Sequence, residues 1–339
     1  MFNNSFSNTN LEWSKFCSYE NKILYDQYQL KGILSLCFLF FDLLLMKTYE
    51  NFCHLDDRKI ISLKGPDAID FLQGLVSCDV KKVSETQSAY GAFLTPQGKF
   101  LFDFFITSFG DELLLDCEAD RIEDFCRRLN LFKLRSNVEI RIIDELEVIA
   151  LIGRDSLKLC ELEEILGFTK QIDGGFLYSD PRHLDIGGRG VISKSFLVET
   201  MPKLIPETEK KNYHHLRISL GIPDGSNDIK VEQSTLLECG FEELNGVDFD
   251  KGCYMGQELT ARTKYRGLIK KRLMPIEISG TPPELGSEIV QQGKTVGEIR
   301  STISDKGIAL IKLEALEKKE ELLASGTVVK PLKPSWVNF

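Results

Sequence analysis

The sequence predicts an α+β fold with antiparallel sheets, followed by a small β-barrel. Between residue 46 and about residue 270, the strand and helix signals come as strand, helix, strand and strand, without the regular alternation of a doubly wound sheet. After about residue 270, the pattern changes to short strand signals separated by glycine and proline turns, the pattern of a small barrel. At 339 residues there is room for about two domains. With 42% hydrophobic and 27% charged residues, the chain has ordinary globular composition and is neither disordered nor collagen-like.

Residues 60–63 (IISL) form a short β-branched strand signal, and Gly65-Pro66-Asp67 then opens a helix with proline in the first turn. Ala68, Phe71, Leu72 and Leu75 recur at i, i+3, i+4 and i+7, the stripe of a core-facing helix. Residues 90–94 and 100–107 flank Thr95-Pro96-Gln97-Gly98, which predicts a hairpin closed by a type II turn. Asp120 and Glu123 resemble a capping box before a stripe of Ile122, Phe125, Cys126 and Leu129, so Cys126 is expected in the core. Strands follow at 138–143 and 147–152, then a helix from Asp155 to Leu166 that stops at Gly167. The barrel strands are expected at 272–278, 288–291, 295–301 and 307–312, with a short helix within 312–323.

Residues 33–46 are nearly all apolar but interrupted by Asp42, and a membrane span needs about 20 such residues. Acids precede the run, no small-residue cleavage site follows it, and the first arginine is Arg58, which argues against a secretory or transit leader. Residues 1–45 are therefore expected to be an extension outside the fold, with no membrane partner.

Lys plus Arg number 42 against 51 for Asp plus Glu, a net charge of −9, so nucleic acid is not an expected partner and any anion site must be local. Nine cysteines contain no CxxC pair, and four histidines supply no zinc spacing. No resident metal is expected, and this cysteine usage suits a reducing, cytoplasmic setting.

Residues 231–250 hold six acids and no Lys or Arg, whereas residues 251–272 hold seven basic residues against the single Glu258. Cys253 stands beside Lys251, with Gly252 and Gly256 allowing close backbone approach, a setting for a reactive thiolate. Glu258 and Arg262, at i and i+4, predict a helical side-chain pair worth a few tenths of a kcal/mol.

The string KGCYMGQELTAR at 251–262, continued by Arg266-Gly267, resembles the K-G-C-[FY]-x-G-Q-E-x-x-x-R signature of the YgfZ-type folate-binding proteins. That family includes iron–sulfur cluster assembly factors and is related to the aminomethyltransferase (T-protein) of glycine cleavage. Gly65-Pro66-Asp67-Ala68 with Phe71-Leu72-Gln73 is similar to the N-terminal pattern shared by both groups, and Arg217, Gly221-Ile222-Pro223 and Asp228 resemble the stretch before the signature.

The resemblance implies two ferredoxin-like halves forming a folate-binding core over 46–270, closed by a β-barrel over 271–339. It also implies a tetrahydrofolate cofactor, with Glu238 as the carboxylate for the pterin and Arg262 or Arg266, with Lys251, for the anionic end or for the setting of Cys253. Cys253 would serve the assembly or maintenance of iron–sulfur enzymes, either as one ligand in a transient complex with a carrier or client protein, or as a redox thiol beside the folate. The alternative is a folate-dependent one-carbon transferase with Asp103 as its catalytic carboxylate. The T-protein pattern has paired aspartates after the hairpin turn, whereas Gly98-Lys99-Phe100-Leu101-Phe102-Asp103 leaves one acid, and Gly187-Gly188-Arg189-Gly190 stands where a G-Y-T-G-E motif is expected.

Overall fold

The structure, a computed structural model, describes residues 50–267, 269–318 and 320–337. The apolar run at 33–46 lies outside the described residues, and among those described no helix is long and apolar enough to cross a membrane.

The first half comprises β1 (Asn51–His54), β2 (Arg58–Lys64), α1 (Ala68–Gln73), β3 (Ala89–Leu94), β4 (Phe100–Phe109), β5 (Glu112–Glu118), α2 (Ile122–Lys133) and β6 (Glu139–Ile143). The second comprises β7 (Leu146–Ile152), α3 (Asp155–Leu159), β8 (Thr169–Ile172), β9 (Gly175–Ser179), β10 (Gly187–Ser193), α4 (Lys194–Glu199), α5 (Met201–Leu204), α6 (Lys210–Leu220), α7 (Gly225–Asp228) and α8 (Gln257–Tyr265). Two antiparallel five-stranded sheets result, ordered β3-β4-β5-β2-β6 and β1-β7-β10-β9-β8. Because β1 crosses to pair with β7, the second sheet borrows its edge strand from the start of the chain.

Strand alternation decides which residues face which layer. Along β7, Val148, Ala150 and Ile152 join a core shared with Ile60, Tyr90, Phe105 and Leu114 of the first sheet. Ile149 and Leu151 point the other way, onto Leu157 of α3 and Met201 of α5. The first sheet does the same, setting Ile61, Phe102, Phe104 and Leu115 against Phe71 of α1 and Phe125 of α2. Two sheets thus face each other with helices outside, and polar residues on the inner faces are sealed between them.

The barrel is closed, in the order β11 (Lys271–Ser279), β14 (Lys306–Lys312), β13 (Lys294–Ile303), β12 (Glu288–Gln291), β15 (Leu322–Ala324) and β16 (Thr327–Pro331), around Met274, Ile276, Ile299, Ile311 and Val329. It seats on α6, where Trp336 Nε1 donates to Leu220 O at 2.8 Å and Lys306 Nζ to Ser219 Oγ at 3.0 Å.

Four local expectations change. Gly98, not Gln97, takes the positive φ (+77°), and its N–H donates to Thr95 O, so the hairpin closes on a type I turn followed by a left-handed glycine. No side chain caps α2 at its start, so the Asp120–Glu123 box does not form. Cys126 is half-buried at the edge of the core. The helix expected over 155–166 stops at Leu159, where the chain turns through Glu161 at φ +53°. The short helix within 312–323 is the single turn Leu313–Leu316, and β15 and β16, which close the barrel, carried too short a signal to be read.

Candidate functional site

On β5, alternation turns Leu113, Leu115 and Cys117 outward and leaves Asp116 and Glu118 on the inner face. Arg58 of β2 donates through Nε to Asp116 Oδ1 at 2.6 Å, and Arg189 of β10 donates through Nη2 to Asp116 Oδ2 at 2.6 Å, so one carboxylate joins the two sheets. Arg189 Nη1 and Arg182 Nη2 both donate to Tyr213 Oη at 3.2 Å, and Arg182 forks onto Asp180 at 3.0 and 2.8 Å. The three guanidiniums lie 4.1, 4.7 and 5.8 Å from the centre of the Phe105 ring, in the order Arg189, Arg182, Arg58. Burial opposes the charge on Asp116, yet Arg189 and Arg58 hold its carboxyl below the usual range. Sequence reasoning missed this network; the one signal available was an arginine at an inward position of the glycine-rich strand GGRGVIS.

Asp103 lies in the same interior, 2% exposed, with Oδ2 accepting from Tyr90 Oη at 2.9 Å and Oδ1 without a hydrogen-bond partner among the described residues. Gly225, at φ +42°, explains the close fit: a Cβ there would stand 2.0 Å from Glu118 Oε1 and 3.0 Å from Asp103 Oδ1. Ser226 donates to Glu118 through its N–H at 2.6 Å and its hydroxyl at 2.5 Å. Burial raises the Asp103 carboxyl, offset by Arg58 and reinforced by Asp224; burial and then Asp103 itself raise Glu118. The pair is therefore biased toward holding a proton.

The signature segment is built differently. Lys251 turns inward, and its ammonium donates to the carbonyls of Gln73, Val76 and Cys78 at 2.9, 2.7 and 2.6 Å. Lys251 therefore anchors the root of the loop and does not serve as a surface cation for an anionic ligand. Two residues on, Cys253 is exposed, while five of the other six described cysteines are buried and Cys126 is half-buried; all seven are free thiols. Among the described residues, no group of three or more His, Cys, Asp or Glu can hold a metal ion. Arg262 and Arg266 are exposed on α8 and its C-terminal end, with no ion pair between Glu258 and Arg262 among the described residues. Glu238 accepts from Thr235 Oγ1 at 2.9 Å and lies 3.7 Å from Lys271 Nζ, in a groove with Lys270 and Lys312 beside the barrel.

A folate would need a flat slot, an open carboxylate for the pterin donors and cations at the far end. The turn of Glu238 packs against α8, and Glu238 shares its groove with Lys270, Lys271 and Lys312, but no hydrogen bond or ion pair joins Glu238 to Arg262 or Arg266 among the described residues. A cavity of about 350 Å³ opens against Tyr90, Ser88, Asn245 and Val247, but none of Asp103, Glu238, Lys251, Cys253, Arg262 or Arg266 lines it. Its carboxylates are engaged: Asp248 with Lys82 and two backbone N–H groups, Asp79 with Gln73 and Lys81 N. The loop that carries Cys253 nevertheless rises from this cavity's edge, since Asp248 and Cys78 border it and both hold Lys251.

Residues 270–339 match the family described as CAF17, C-terminal beta-barrel domain. Over 291 residues the chain is 29% identical to the iron–sulfur cluster assembly factor IBA57 homolog, mitochondrial, of Pyricularia oryzae, covering 78% of this chain and 72% of that protein. It is 28% identical to mitochondrial IBA57 of Mus musculus, covering 83% and 84%. The chain is thus similar to proteins named as IBA57 iron–sulfur cluster assembly factors. Its fold is that of the glycine cleavage system aminomethyltransferase T of Bartonella henselae, with a TM-score of 0.70 at 16% identity over 85% of this chain and 86% of that one.

The cytoplasmic expectation is overturned, because the IBA57 relatives are named mitochondrial. Cysteine usage separates reducing from oxidising compartments and says nothing of which reducing one. The transferase alternative is not favoured either: the relatives are assembly factors, and Asp103 is sealed between the sheets.

Proposed function

We propose that this chain is a mitochondrial iron–sulfur cluster assembly factor in which Cys253 offers its thiolate to a cluster carried by another protein. The exposure of Cys253, on a loop rooted by the caged ammonium of Lys251, carries the reading. One thiol supplies one of the four ligands a cluster takes, so the remaining ligands belong to the carrier or client. The cluster is cargo, held briefly between two chains. Lys251 fixes the height of the loop, and the open surroundings of Gly252 leave the thiol approachable. Folate carries no step in this reading, because none of the residues expected to bind it lines the cavity beside Tyr90.

In cells lacking the protein, Cys253→Ser is expected to abolish rescue of iron–sulfur enzyme activity. Full rescue by that variant removes the thiol from the function. Asp103→Asn is expected to rescue; loss of rescue by a folded Asp103→Asn protein would restore the transferase reading.

A further inference from the structure

The switch from acidic to basic sequence after Asp250 is partly consumed within the fold. Lys264 pairs with Glu242 at 2.7 Å, Arg272 with Glu243 at 2.6 Å, and Lys271 approaches Glu238 at 3.7 Å. Arg262, Arg266 and Lys270 are left over, exposed and without an ion pair among the described residues, and of these Arg262 and Arg266 lie together on α8 and its C-terminal end. They follow Glu258 at i+4 and i+8 along one face of α8, with Tyr265 beside them, while Thr260 and Thr263 form the buried face. Tyr265 is 75% exposed, an unusual setting for an aromatic ring on a free surface but a common one at interface anchors. α8 begins just beyond Cys253, since Gln257 N donates to Tyr254 O, and its nine residues span about 13 Å. The whole chain, at net −9, repels an acidic partner, so this stripe stands out as a local attraction.

We propose that Arg262, Tyr265 and Arg266 dock an acidic face of the protein that meets Cys253. Partner carboxylates pair with the two guanidiniums, and the Tyr265 ring packs into an apolar slot between them. The proposal rests on Cys253 being the reacting thiol.

Two synthetic peptides of equal length test it on the full chain, one rich in glutamate and one of glycine and serine, each bearing one cysteine activated as a 2-pyridyl disulfide. The Cys253 thiolate attacks the peptide sulfur and forms a mixed disulfide. The bond to the pyridyl sulfur breaks, and pyridine-2-thione leaves with the electron pair, takes a proton and is read by its absorbance. The acidic peptide is expected to react about 10-fold faster at low ionic strength, with the advantage shrinking as salt rises. With Arg262→Glu and Arg266→Glu together, that ratio is expected to fall to parity or below, while the neutral peptide keeps its wild-type rate.

Equal rates in the wild-type chain overturn the proposal, as does an advantage that survives the double reversal or persists in Cys253→Ser. A failure here, with Cys253→Ser still unable to rescue cells, removes the docking stripe alone. Rescue by Cys253→Ser removes the underlying function.

Discussion

Between the sheets, Arg58, Arg182 and Arg189 surround one phenylalanine ring and share the carboxylates of Asp116 and Asp180; on α8 and its C-terminal end, Arg262 and Arg266 face solvent with no ion pair among the described residues. The same side chain does opposite work in the two regions. In the interior a guanidinium must be matched, so its position is over-determined and its removal is felt as stability. On the helix surface an unmatched guanidinium costs almost nothing in folding and remains available for encounter. The loop of Cys253 joins the two regimes: its root is buried through Lys251, and its tip is open.

The largest separation is expected from Asp116→Ala, which leaves two buried guanidiniums short of a partner and is expected to lower unfolding free energy by about 3–5 kcal/mol in denaturant titration. A loss below about 1 kcal/mol would mean that water, and not Asp116, satisfies those arginines. Lys251→Met comes next: three carbonyls lose their donor, for a loss of about 1–3 kcal/mol, and the loosened loop is expected to weaken cellular rescue although Cys253 is intact.

Asp103 sharpens the comparison through pH. Its folded carboxyl is raised, first by burial, so its contribution is fully present below the unfolded value of about 4 and is lost as pH rises through the folded one. Asp103→Asn is therefore expected to flatten the decline in stability from about pH 4 upward, measured as Tm against pH. Asp116, whose carboxyl is lowered, is expected to show the reverse trend, losing its contribution as pH falls. The smallest stability effect belongs to Cys253→Ser, within about 0.5 kcal/mol of wild type because the thiol is exposed, despite its expected loss of function. A large destabilisation there would make Cys253 structural.

Legibility followed periodicity. The β3–β4 hairpin and the stripe of Phe125 and Leu129 were readable because alternation and the 3.6-residue period report burial directly. The helix over 155–166 was overdrawn because its apolar spacing continues past Leu159, while the backbone turns at Glu161. At the candidate site, the KGCY string marked a loop with an exposed thiol but misjudged the direction of a side chain: Lys251 lies two residues from Cys253 in sequence, yet three carbonyls from residues 73–78 draw its ammonium inward. Neighbours separated by more than a hundred residues leave no trace in local spacing.

By itself, the sequence determined the antiparallel strand and helix succession, the barrel after residue 270 and the chemical type of Cys253, because each follows from short-range patterns or residue identity. Only the tertiary structure decided that Asp116 joins two sheets, that Asp103 is sealed between them while Glu238 sits in a groove beside the barrel, and that Arg262 and Arg266 have no ion pair among the described residues. Pairing and burial depend on which distant strands meet, and that choice belongs to packing of the whole chain.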